Sequence, residues 1–112
     1  MLIESLVLQY LKTALDMSEI YVQLPDNLPD RFAILTLADR GKVDQINAAT
    51  IQIESYARKS KYEAATLDEA IREAMEAIGE TEDVSCRYGG GNDNHDTTLK
   101  MYRYRSYFNL YF

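Results

Sequence analysis

The chain has 112 residues and a mass of 12.9 kDa, is 46% hydrophobic and 27% charged, and carries a net charge of −6. That is room for one hydrophobic core, and the acidic balance argues against a generic grip on DNA or RNA. No apolar run nears the roughly 20 residues of a membrane span. The start, Met1 to Glu4, has no basic stretch of the kind that opens a signal peptide, and the single cysteine, Cys86, excludes an internal disulfide and fits a reducing compartment.

Ile3, Leu6, Val7, Tyr10, Leu11 and Ala14 recur at helical spacing, which predicts an amphipathic helix over 2–15. Ile20 to Leu24 is β-branched and aromatic and reads as a short strand, ended by the turn-forming loop from Pro25 to Asp30. Phe32 to Ala38 is apolar on both faces, as in a strand at the centre of its sheet. Asp39 to Asn47 is polar around Gly41 and reads as a long connector. Thr50 to Ala57 alternates, with Ile51 and Ile53 on one side and Gln52 and Glu54 on the other, the pattern of a half-buried strand.

Ser60 and Glu63 have capping-box spacing, and Leu67, Ile71, Ala74, Met75 and Ile78 line one face behind them. A second helix is predicted over 61–78, with Gly79 at its C′ position. Val84 to Tyr88 is a short strand, Gly89 to Asp96 a flexible loop, and Leu99 to Phe112 a long strand. On that last strand Tyr102, Tyr104, Ser106, Phe108, Leu110 and Phe112 share one side. Met101, Arg103, Arg105, Tyr107, Asn109 and Tyr111 share the other. The alternation makes the first set core and the arginines a basic outer stripe. The order α-β-β-β-α-β-β describes an α+β two-layer sandwich: a mostly antiparallel sheet of about five strands with two helices on one face, as a single domain over 1–112.

No catalytic constellation stands out. The only histidine, His95, sits in a Gly/Asn/Asp loop between Asp93 and Asp96, without the three rigidly held ligands of a zinc site or the spacing of a calcium loop. Gly89-Gly90-Gly91 lacks a phosphate-loop pattern and no helix follows it. Cys86, beside Arg87, reads as a small core residue rather than a nucleophile. The expectation is a non-enzyme with no cofactor and no metal.

Charge and aromatics are unevenly spread. Eight acids against one base, Arg72, lie between Glu63 and Asp83, whereas the stretch from Thr97 to Phe112 has three bases and no acid. Basic residues interleaved with tyrosines around Arg103 could stack on single-stranded nucleic acid. Arg and Tyr are equally the residues of protein interfaces, and the strand's alternation favours that reading.

Several phrases are familiar together: Ile51-Gln52-Ile53-Glu54-Ser55-Tyr56-Ala57, then Lys61 to Ala65 leading into Leu67 to Met75, and finally Lys100 to Tyr107 behind a short N-terminal helix. They resemble the small tail-component proteins of long-tailed phages and prophages of Gram-positive bacteria, in particular the tail terminator (tail completion, head–tail joining) family. The resemblance spans essentially the whole chain and carries no catalytic signature. It implies a structural protein of the virion's head–tail junction, assembled in the host cytoplasm. Such a protein is a hexameric ring that caps the tail-tube protein, docks a head-completion or connector protein, and passes DNA through its lumen without specific binding or membrane contact. The free subunit can stay monomeric until a template is present. A head-closure or connector component of the same module is the alternative, and a small nucleic-acid-binding module a more distant one.

A cyclic ring needs two different patches that meet. The acidic helix (Glu69, Glu73, Glu76, Glu80) and the basic strand (Arg103, Arg105, with Tyr107) are the expected pair. The two long loops, represented by Arg40 and Lys42 and by Asn92 and His95, are the expected contacts with neighbouring rings, mobile until they dock.

Overall fold

The computed structural model describes residues 2–93 and 98–112, with the side chain of Val43 excepted. The element order is α1 (Ile3–Ala14), β1 (Ile20–Tyr21), β2 (Arg31–Val43), β3 (Ile46–Ala57), α2 (Lys61–Glu76), a single 3-10 turn (Ile78–Glu80), β4 (Ser85–Asp93) and β5 (Tyr102–Tyr111). The five strands form one sheet in the order β1-β2-β3-β5-β4. All neighbours are antiparallel except the two-residue β1–β2 pair. The expected α+β architecture and element order are therefore present.

Both helices lie on one face of the sheet. Ile3, Val7 and Leu11 of α1 and Leu67, Ile71 and Met75 of α2 enclose a core with Ala33, Leu35, Ile51, Ile53, Phe108 and Leu110 of the strands. Helix α2 starts where the capping box places it, with the Ser60 hydroxyl accepting from the Glu63 amide at 3.1 Å. It ends at Glu76, earlier than expected. Gly79 is not a left-handed C′ residue; it sits inside the 3-10 turn, which tightens the chain so that Ile78 reaches the core at 0% exposure.

Three strand assignments are corrected. The polar stretch from Asp39 to Asn47 is no long loop. β2 runs to Val43, β3 begins at Ile46, and Asp44 and Gln45 turn between them with φ of 50° and 72°, the signs of a two-residue I′ hairpin. Backbone pairing carries the strands through polar sequence there, and Asn47 exchanges two hydrogen bonds with Phe112. Likewise Gly89 to Gly91 belong to β4, with Gly90 at φ 109° beside a register shift. Gly91 is needed at its position, because a Cβ there would lie 2.4 Å from the Arg105 carbonyl oxygen. Third, the central strand is β3, and β2 is second from the edge.

β2 is apolar on both sides because the face away from the helices has a small core of its own. Phe32, Ile34, Tyr56 and Met101 are buried there beneath Tyr21, Leu28 and Leu99. The Phe32 and Tyr56 rings stack 4.7 Å apart at 8°. If this cluster is true core, Phe32→Ala costs about 3–5 kcal/mol in urea unfolding; a loss below about 1 kcal/mol would show that the open face contributes nothing.

Candidate assembly interface

The register of β3 on β5 sets Glu54 opposite Arg105 and Tyr56 opposite Arg103, all on the open face of the sheet. One carboxylate oxygen, Glu54 Oε2, pairs with the Arg103 guanidinium at 3.3 Å and accepts from Arg105 at 3.1 Å. The three side chains are only 12%, 16% and 26% exposed respectively. The Arg103 guanidinium also lies 5.9 Å from the centre of the Tyr56 ring. The hydrogen bond to Glu54 holds the Arg105 guanidinium above its ordinary pKa. The arginines are thus no free outer stripe: they lean on the second core and share a counter-ion, leaving one net positive charge. Toward the far end of β5 the face continues with half-buried Tyr107 and with Asn109, which accepts from Thr50 at 3.0 Å. A flat surface of Tyr, Arg and Asn is suited to contact with another protein.

The acidic residues are on the opposite layer. Glu69, Glu73 and Glu76 are exposed on α2, and Glu80 is exposed on the 3-10 turn. Glu76 pairs with Arg72 at 3.3 Å, and Arg72 lies 3.9 Å over the Tyr88 ring, tying the helix to β4. Within one copy the acidic helix and the two arginines therefore do not meet. Arg40 and Lys42 are exposed residues of β2, and Asn92 is an exposed β4 residue in register with Arg105. The expected mobile loops at Arg40, Lys42 and Asn92 are thus strands. His95 lies outside the described residues.

The titratable groups are structural in character. Burial, reinforced by Glu76, pushes the Cys86 thiol up to about 11, which keeps the nucleophilic thiolate scarce at neutral pH. Ser106, 1% exposed, donates to Asp68 at 2.6 Å and joins β5 to α2. Burial raises the Asp68 pKa, and the Ser106 bond only partly opposes it. Lys61 and Asp93 pair at 2.6 Å across exposed surface, raising the first and lowering the second. Among the described residues no group of three His, Cys, Asp or Glu could hold a metal, and no helix is long and apolar enough to cross a membrane. One concavity, about 710 Å³, is an open groove between Ile46 at the hairpin and the Glu82–Ser85 stretch.

Sequence reasoning missed Glu54, Phe32 and Tyr56 as parts of this surface. Alternation alone put Glu54 on a polar side; only the cross-strand register reveals that two arginines converge on it.

No family model matches the chain, and no curated protein matches it. Its fold does recur among solved structures. A chain from the virion of a native gene transfer agent particle superposes with a TM-score of 0.68, covering 97% of this chain and 92% of that one, at 13% identity. The shared property at that identity is the fold.

Glu54→Gln strips the arginines of their counter-ion and should cost about 1–3 kcal/mol, read as a lower urea midpoint; an unchanged midpoint would show that both arginines are adequately solvated. Asp68 binds its proton more tightly folded than unfolded. It therefore favours the fold below its unfolded pKa, and that contribution is lost as pH rises through its folded pKa. Asp68→Asn keeps an acceptor for Ser106, so at pH 7 it should leave stability unchanged or raise it. A loss above about 1 kcal/mol would show that the ionised form is the stabilising one.

Proposed function

We propose that the chain is a structural protein of a virion that caps the tail tube and joins it to the head, acting as a ring and making or breaking no covalent bond. The observation that carries this reading is the likeness of fold, along nearly the full length of both chains, to a component of a virion. The phrasing of β3, α2 and β5, which resembles tail terminators, supports a position at the head–tail junction.

The physical chemistry supports the same reading. The open face of the sheet presents Tyr107, Asn109 and the arginines paired with Glu54, residue types suited to contact between proteins. The Cys86 thiol is held in its unreactive form. A conduit for DNA should not grip its cargo, and the net charge of −6, with Glu54 shared between Arg103 and Arg105, disfavours phosphates overall.

Deletion tests the role. Particles assembled without the chain should show tails of uncontrolled length alongside filled, unjoined heads. Normal tails joined to heads would refute it, and tails of normal length beside heads that leak DNA would assign the chain to head closure instead.

A further inference from the structure

We propose that copies of this chain associate by continuing the sheet, with the free edge of β4 in one copy pairing with the hairpin half of β2 in the next and with Arg87 facing Asp39. The inference rests on the ring reading above and names the contact that would build it.

Both sheet edges are open. β4 is the last strand, and among the described residues no other strand pairs with its outer side. At the opposite end β1 pairs only with Ala33 and Ile34, so among the described residues β2 has no strand partner on its outer side from Thr36 to Val43. An edge strand with unmet N–H and C=O groups is a template for another strand.

The two open stretches lie at the same height in the sheet. Asp39 is in register with Thr50, Thr50 with Asn109, and Asn109 with Arg87. Two residues on, Gly41, Ala48, Tyr111 and Ser85 form a common row. The rows that β1 covers reach β4 only at Asn92 and Asp93. A copy rotated about an axis along the strands therefore brings free edge to free edge.

Strand direction agrees. Three antiparallel steps separate β2 from β4, so they run in opposite directions. Rotation preserves direction along the axis, and the new pair is antiparallel.

Charge agrees as well. Asp39 and Arg87 are exposed, share the open face and a row, and have no ion pair among the described residues. Asp39 accepts only from the adjacent Arg40 amide, at 2.9 Å. On the helix side, Arg40 and Lys42 of β2 would approach Glu82 and Asp83, which lead into β4. Opposite charges directly across a strand pair stabilise it, and like charges oppose it.

The test uses the full-length chain in three variants, Asp39→Arg, Arg87→Asp and the double exchange. Sedimentation velocity up to about 1 mM gives the midpoint of association, and hydrogen exchange reports the β4 amides. The wild type should associate, with slowing of β4 amide exchange over the same concentration range. Each single reversal should raise the midpoint by about fivefold, and the double exchange should restore it. A wild type that stays monomeric, three variants that all match the wild type, or oligomers whose β4 amides exchange at the monomer rate would each overturn the proposal. Particle assembly scored with the same variants separates the two ideas: variants that fail here yet still cap tails leave the virion reading intact and remove only the edge pairing.

Discussion

Strand β3 is paired along almost its whole length on both sides, with β2 and with β5, and the rest of the molecule depends on that double register. Side chains alternate along a strand, so a shift of one residue would exchange the two faces. In the observed register Ile51 and Ile53 enter the core beneath the helices, and Ser106 arrives where Asp68 of α2 can accept its hydroxyl. The same register puts Glu54 between Arg103 and Arg105 on the other side. A slip would set these charges against the leucines and isoleucines of the main core, at a cost of several kcal/mol per unpaired ion.

The open face is therefore neither a simple solvated surface nor a basic patch. One end is a small apolar cluster around the stacked rings of Phe32 and Tyr56. The middle is a charge cluster resting on that floor, and the far end is a half-exposed strip of Tyr and Asn side chains. The two arginines of this face are held by Glu54 before any partner arrives. Preorganisation of this kind lowers the entropy lost when two protein surfaces dock.

Much of the fold is legible in the residues. Helical spacing from Ile3 to Ala14, the Ser60 cap and the alternation from Ile51 to Ala57 each correspond to an observed element. The failures share one cause. Strand ends at Asp39 to Asn47 and Gly89 to Asp93 are polar and glycine-rich, so local propensity reads them as loops, while backbone hydrogen bonds to partners distant in sequence hold them extended. Val22 and Leu24 show the reverse: their residue types favour a strand, yet only Ile20 and Tyr21 find a partner. The candidate interface was half visible. The types and spacing of Arg103, Arg105 and Tyr107 were evident. The convergence of the two arginines on Glu54, 49 and 51 residues away along the chain, was not, because register is a property of the folded sheet.

The role proposed for this chain is one of surfaces meeting surfaces. The chain's position in a particle tests that account most directly. Electron microscopy of purified particles bearing an electron-dense label fused to this chain should show label at a single site in each particle, the junction of head and tail. A label spread along the tube, confined to the capsid shell, or missing from finished particles would contradict it.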